Sequence, residues 1–404
     1  MFNFEYCVKT KLIVGKDVEK DVAKYVKEFG GTKVLVHHDS AYTKECGLVD
    51  AIIQYLKEAG LAVFELGGVV PNPHLSLVYE GIELCKKEGI DFILPVGGGS
   101  VIDSAKAIAI GVPYDGDVWD FYAEQNGAPA AFPAASLPVG VVLTIAATGS
   151  ETSWSSIITK ADENLKRFID NEYCRPVFAI ENPELTYSLP PFQTFAGITD
   201  IMSHSMERYF GDQQETDPLS DHLCEAIFTT CMECARTLKK DPKNYDARAN
   251  VMVASGISHN GLTGIGRAQD WASHMMEHEL GGEFQGVTHG AGLAIIIPAW
   301  MRYVYKDNMT IFTKFAVRVM GVTYDYNDPE TTVLEGIDRL EAFFRSIGMP
   351  TRMSELPQIT SEVTEEVMRK MAKRVRITNP DDGTIGGVRH LNEEDIVNIF
   401  KMCK

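Results

Sequence analysis

Apolar residues in the first half of the chain fall in short runs, separated by stretches in which they recur at every third or fourth position. The runs at 34–36, 62–66, 91–96 and 140–144 predict strands, and the stretches 48–58, 75–87 and 101–110 predict helices. Strands alternating with helices of this length need crossover connections, so the pattern predicts a mostly parallel sheet flanked by helices. Near the proline-flanked segment 183–191 the pattern changes. Beyond it apolar residues recur at three and four through 195–210, 219–239, 247–259, 265–280, 309–320, 332–347, 361–372 and 394–402. Strand-like alternation is scarce there. The reading is an α/β domain over 1–185 and an all-helical domain over 186–404, sharing a packed interface with a cleft of the kind ligands favour.

Composition narrows the classes. The length of 404 residues suits two domains of about 100–200 residues each. A net charge of −18 disfavours nucleic acid and anionic membrane as partners. The longest apolar stretch, 291–300, is far short of the roughly 20 residues that span a bilayer. Residues 1–11 lack the apolar run of a signal peptide. The eight cysteines are scattered, and the single CxxC of Cys231 and Cys234 continues a helical pattern with no second pair to complete a zinc knuckle. They read as small buried hydrophobes of a reduced, cytoplasmic protein.

Two regions carry candidate chemistry. Gly97, Gly98, Gly99 and Ser100 follow a strand and precede a helix, where backbone N–H groups and the helix dipole can receive a phosphate. A Cβ there would hold a pyrophosphate off the backbone. The run is neither GxGxxG nor a P-loop, and alone it could be a plain strand-to-helix turn. Asp39 ends the first strand of this half, where a carboxylate accepts from ribose hydroxyls and repels a 2′-phosphate. The plain alternative is an exposed turn residue. Thr144, Thr148, Gly149 and Ser150 form a second polar segment after a strand, suited to a cofactor or simply to capping a helix.

Histidine placement is the sharper signal. Asp200 and His204 are spaced i, i+4 on one helical face, and His274 and His278 repeat that spacing. His289 follows eleven residues later, past Gly281, Gly282 and Gly286, which let the chain fold back. A lone helical histidine is usually structural, but two such pairs with a third histidine nearby point to a divalent metal. Asp200, His204 and two of His274, His278 and His289 would hold it, and spacing does not choose between them. Imidazoles with a carboxylate suit Zn²⁺ or Fe²⁺, whereas Mg²⁺ and Ca²⁺ want oxygen ligands. His278 and Glu279 begin an HExxH-like string, but Gly282 ends it. His37, His38, His74, His222, His259 and His390 lie outside this constellation.

These stretches together resemble a known family. The run Gly97 to Lys106, the segment Thr144 to Glu151, the string Ala196-Gly197-Ile198-Thr199-Asp200 with His204, and His274 to Gly281 match the iron-containing (group III) alcohol dehydrogenases, most of all their butanol dehydrogenase branch. The likeness runs from Phe4 to the last helices. It implies a Rossmann-like dinucleotide-binding α/β domain followed by an all-α metal-binding, catalytic domain, the dehydroquinate synthase-like architecture, with the active site between them. It implies Asp200, His204, His274 and His289 as metal ligands, with His278 facing substrate and nicotinamide as a catalytic proton-relay group. It implies cofactor contacts at Asp39, Asn72, Gly98, Gly99, Ser100, Thr144 and Thr148, and at a lysine, with Lys166 the candidate and Lys160 the alternative.

The activity implied is hydride transfer between NAD(P)(H) and a small primary alcohol or aldehyde such as butanol or butanal, in a homo-oligomer carrying Fe²⁺ or Zn²⁺. Two departures stand out. The segment from His278 to His289 is one residue longer than the family pattern, and Asp39 replaces the glycine-rich sequence of NADP-using relatives, which favours NAD(H). A lyase or cyclase of the dehydroquinate synthase type would need a Lys and Arg cluster, yet Met275, Met276, Leu280 and Trp300 around the ligands are apolar. A metal-dependent hydrolase without nucleotide would leave the 97–100 turn and the 144–150 segment idle.

Overall fold

The structure, a computed structural model, describes residues 1–39, 42–125, 128–211 and 217–404. It divides into an α/β unit of residues 7–189 and 248–260, and a helical unit of residues 1–6, 190–247 and 261–404. Two segments therefore lie across the division suggested by the sequence pattern near 185. Residues 1–6 join the helical unit, where Phe2 N donates to Gly266 O at 2.7 Å. Residues 248–260 join the α/β unit, where Ser255 Oγ accepts from Gly149 N at 3.1 Å and Gly256 O accepts from Thr152 Oγ1 at 2.8 Å.

The α/β unit is built from strands β1 (Lys11–Val14), β2 (Lys33–Asp39), β3 (Ala62–Val69), β4 (Phe92–Gly97), β5 (Glu124–Gln125), β6 (Ala128–Pro129), β7 (Gly140–Leu143), β8 (Ser155–Lys160), β9 (Leu165–Asp170) and β10 (Phe178–Glu181). Its helices are α1 (Val22–Glu28), α2 (Tyr42–Glu45), α3 (Leu48–Glu58), α4 (Leu75–Glu88) and α5 (Gly99–Gly111). Six strands form one sheet in the order β1-β10-β7-β4-β2-β3, with every pairing parallel. β8 and β9 form a separate antiparallel hairpin, and β5 pairs with β6.

Every residue of β4 is buried, which explains its unbroken apolar run: a parallel strand covered on both faces has no polar side. Val34, Val36, Leu94, Val96, Val142 and Ile180 from the sheet pack with Val26, Val49, Ile52 and Leu56 from the helices. β1, β10 and the β8–β9 hairpin lie outside the strands expected from the sequence. His37 is structural. Its buried ring donates from Nδ1 to Leu66 O at 2.8 Å and accepts at Nε2 from Ser104 Oγ at 2.9 Å, and burial lowers its pKa to about 4.

The later helices are α6 (Pro191–Tyr209), α7 (Pro218–Lys240), α8 (Tyr245–His259), α9 (Ala272–Glu283), α10 (His289–Val304), α11 (Met309–Lys314), α12 (Pro329–Ser346), α13 (Glu365–Arg374) and α14 (Glu393–Met402). Two expectations need correction. The helix anticipated from 265 starts only at Ala272, where Trp271 is the N-cap and the Asp270 carboxylate accepts from Ala272 N at 2.9 Å. The same carboxylate accepts from Gly387 N at 2.7 Å and Val388 N at 2.8 Å, so the start of α9 is tied to a loop distant in sequence. The helix anticipated over 309–320 continues beyond α11 as a wide π turn at Phe315–Val319. Cys231 and Cys234 are buried on α7. Among the described residues, no helix is long and apolar enough to cross a membrane.

Candidate metal centre and cofactor site

Within the helical unit α6 presents Asp200 and His204, α9 presents His274 and His278, and α10 opens on His289. The backbones of α6 and α10 touch: a Cβ on Gly290 would lie 2.0 Å from Ala196 O. That contact sets the first turn of α10 beside the turn of α6 that carries Asp200. Asp200 Oδ1 then lies 3.9 Å from His204 Nε2, 3.9 Å from His274 Nε2 and 3.7 Å from His289 Nε2. His274 Nε2 and His289 Nε2 stand 3.0 Å apart. Asp200, His204 and His274 are buried, and the His289 side chain keeps 23% of its exposure.

The outer ring nitrogens explain why these atoms face each other. His274 Nδ1 bonds Glu207 Oε1, and His289 Nδ1 bonds Glu277 Oε2. An ionised carboxylate only accepts, so each Nδ1 carries the proton and each Nε2 keeps its lone pair. Two lone pairs and an anionic oxygen aimed at one point repel one another unless a cation lies between them. This donor set fits a divalent metal of borderline softness. Burial works to lower the His274 imidazole, but Glu207, with Asp200 and Glu277, outweighs it and holds the pKa above its ordinary value.

His278 lies one helical turn further along α9, its ring 5.9 Å from that of His274 and 5.6 Å from that of His289. Ligand atoms of Glu277, His278 and His289 also come within 4.8 Å of one another, a second grouping beside the Asp200–His204–His274 cluster. Glu207 and Glu277 are absent from the residues anticipated by sequence. Each stands three residues after a histidine of its own helix but bonds a histidine of another, so spacing within one helix could not have found them.

In the α/β unit the anticipated cofactor residues gather at the carboxyl ends of adjacent parallel strands. Asp39 ends β2, Asn72 follows β3, Gly97 ends β4 and Thr144 follows β7. In open parallel sheets that is the edge where ligands bind. The glycines have a packing reason of their own. A Cβ on Gly98 would lie 2.2 Å from Ile145 Cγ2, and one on Gly99 would lie 2.5 Å from Thr148 Oγ1. The turn before α5 is thus pressed against the segment that carries Thr144 and Thr148, and Thr144 N donates to Gly97 O at 3.1 Å. Ser100 is the second residue of α5, half-buried, and Thr148 Oγ1 accepts from Ser150 N at 3.1 Å.

Lys106 braces this arrangement from inside. Its buried Nζ donates to Ser150 Oγ at 2.8 Å, Ser153 O at 3.1 Å and Ser155 O at 2.7 Å, and Asp103 Oδ1 accepts from Ser150 Oγ at 2.6 Å. Burial raises the Asp103 carboxyl to about 6 and lowers the Lys106 ammonium to about 8. Asp39 accepts from Thr43 N at 3.2 Å. Asn72 adopts a left-handed φ of 57°. Pro73 O accepts from Thr159 N at 2.8 Å, and Thr159 pairs with Lys166 across the hairpin, so Asn72 and Lys166 belong to one neighbourhood. Lys166 is buried, whereas Lys160 is more exposed and pairs with Glu163 at 2.6 Å.

Comparison with known proteins places the chain in a family. The sequence pattern of the family described as iron-containing alcohol dehydrogenase matches residues 9–183, and that of its Fe-containing C-terminal part matches residues 194–403. A probable NADH-dependent butanol dehydrogenase 2 of Bacillus subtilis is 40% identical over 401 residues, covering 99% of each chain. The NADH-dependent butanol dehydrogenase A of Clostridium acetobutylicum is 36% identical over 402 residues, again covering 99% of each. The crystal structure of a Thermotoga maritima NADH-dependent butanol dehydrogenase A superposes with a TM-score of 0.92 at 33% identity, covering 100% of this chain and 99% of that one. With sequence matched through both halves and the same fold throughout, the chain belongs to the iron-containing alcohol dehydrogenase family.

Proposed function

We propose that this protein interconverts small primary alcohols and aldehydes, butanol and butanal among them, with a nicotinamide dinucleotide held by the α/β unit and a divalent cation held by the helical unit. Family membership makes it an NAD(P)-dependent alcohol dehydrogenase or aldehyde reductase, and the names of its relatives favour hydride transfer over dehydroquinate synthase-type lyase chemistry. The metal half of the proposal rests on the convergence of Asp200 Oδ1 with the Nε2 atoms of His204, His274 and His289 at 3.7–3.9 Å.

When bound, the cation supplies Lewis acidity toward the alcohol or carbonyl oxygen, and the nicotinamide supplies the hydride chemistry. Asp200, His204, His274 and His289 would hold the cation, with Fe²⁺ and Zn²⁺ the ions that suit three imidazoles and a carboxylate. His278, buried one turn beyond His274, has the chemistry to take up the alcohol proton at a ring nitrogen and pass it outward. Gly98, Gly99 and Ser100 offer backbone N–H groups to the pyrophosphate at the start of α5. Asp39 accepts from the adenosine ribose hydroxyls and disfavours a 2′-phosphate, so NAD(H) is preferred over NADP(H). Asn72, Thr144, Thr148 and Lys166 complete the cofactor contacts.

The test is butanal-dependent oxidation of NADH, followed at the NADH absorbance band. It is run on the purified protein, after chelation, and after restoring Fe²⁺ or Zn²⁺. Activity should vanish with the metal and return with it. A metal-loaded protein that binds NADH but leaves it unoxidised with a ladder of aldehydes would overturn the proposal.

A further inference from the structure

Two glutamates outside the ligand set complete the metal centre. Glu207, three residues after His204 on α6, bonds Nδ1 of His274 on α9 and accepts from Ser273 Oγ at 2.7 Å. Glu277, three residues after His274 on α9, bonds Nδ1 of His289 on α10. Each carboxylate thus stands one turn from a ligand on its own helix and holds a ligand on the next, cross-bracing α6 to α9 and α9 to α10. Both are buried, with exposures of 1% and 0%. α10 also leaves room for the second: a Cβ on Gly292 would lie 2.8 Å from both Cγ and Oε1 of Glu277.

We infer that Glu207 and Glu277 are positioning residues that fix the proton of His274 and His289 on Nδ1, aim their Nε2 lone pairs, and thereby set the affinity of the centre for its cation. The inference rests on reading Asp200, His204, His274 and His289 as that centre. Carboxylates behind ligating imidazoles orient the ring and raise the basicity of the metal-side nitrogen, and losing one typically costs about 10–100-fold in metal affinity. Glutamine keeps an acceptor oxygen at the same place, so Glu→Gln removes only the charge; Glu→Leu removes the bond as well.

The experiment is competition for Zn²⁺ between a chromophoric chelator and the full-length protein, with the visible spectrum of the Co²⁺-loaded protein as a second readout. Glu207→Gln and Glu277→Gln should each raise the Zn²⁺ Kd by about 10–100-fold and shift the Co²⁺ bands, and the Leu variants should do more. NADH binding by the α/β unit should be unchanged in all of them, which separates a local effect from a damaged fold. Should the Glu variants fail to fold, Gly292→Ala displaces Glu277 without removing its charge and should weaken Zn²⁺ binding in the same direction. Wild-type Zn²⁺ affinity and Co²⁺ spectrum in folded Gln variants, or in Gly292→Ala, would overturn the inference and leave the centre standing. Failure of the wild-type protein to bind Zn²⁺, or binding that survives His204→Ala and His274→Ala together, would overturn the reading of the centre itself.

Discussion

The main chains of two helices meet at Gly290 and Ala196, where a Cβ on the glycine would lie 2.0 Å from the alanine carbonyl oxygen. His289 precedes one contact residue and Asp200 follows the other by four, so this approach brings His289 Nε2, a proposed ligand on α10, to 3.7 Å from Asp200 Oδ1, a proposed ligand on α6. The obstacle is backbone, not a side chain that can swing away. Gly290→Ala must part the helices, with an expected loss of about 1–3 kcal/mol in stability and a marked loss of bound metal. Thermal unfolding with and without Zn²⁺ measures both, and wild-type values for this variant would contradict the argument.

The ligand set makes its own prediction. His204→Ala and His274→Ala should lose both metal and activity. His278→Ala should keep its metal, because the Nε2 atoms that converge on Asp200 Oδ1 at 3.7–3.9 Å belong to His204, His274 and His289, and should lose turnover. A ligand present at 100 times its Kd stabilises the folded state by about 2.7 kcal/mol, so chelation should lower the unfolding temperature of wild-type and His278→Ala proteins but not of His204→Ala. Metal analysis decides: a His278→Ala protein without metal beside a His289→Ala protein with it would reverse the assignment.

Asp39 serves the fold as well as the proposed cofactor, since it accepts from Thr43 N at 3.2 Å. Replacing it with glycine should cost about 1 kcal/mol through the lost hydrogen bond. It should also move the ratio of kcat/KM for NADPH over NADH upward by roughly tenfold or more, a difference of about 1.4 kcal/mol. Steady-state rates with both cofactors test this. An unchanged ratio would place the discrimination elsewhere.

Glu181 lies fully buried at the end of β10, and neither carboxylate oxygen has a hydrogen-bond partner among the described residues. Burial, reinforced by Glu151, holds its carboxyl well above the usual range, and burial raises Glu151 to about 7. Above a pH of roughly 4.5 the unfolded chain gives up protons that these two groups keep in the folded state. The folded state then binds more protons, so stability falls as pH rises from there through about 7 and above. Glu181→Gln should flatten that slope and be the more stable protein at high pH. Urea unfolding at pH values on either side of neutrality checks it, and parallel slopes in the two proteins would count against the buried carboxyl as the cause.

Some of this molecule is written in local order. The i, i+4 spacing of Asp200 with His204, and of His274 with His278, puts each pair on one helical face whatever the helix packs against. The unbroken apolar run of β4 likewise announces a doubly covered parallel strand. Family resemblance, carried by strings within single elements, supplied the reaction class and singled out His289. Other features were beyond any local reading. Glu207 and Glu277 look like ordinary helical glutamates until α6, α9 and α10 pack and each meets a histidine of another helix. The glycines before α5 suggest room for a phosphate, yet Gly98 and Gly99 are also required by Ile145 and Thr148. The difference is physical: helical and strand periodicities follow from bonds between near neighbours in sequence, whereas which carboxylate backs which imidazole depends on contacts that exist only once distant segments have packed.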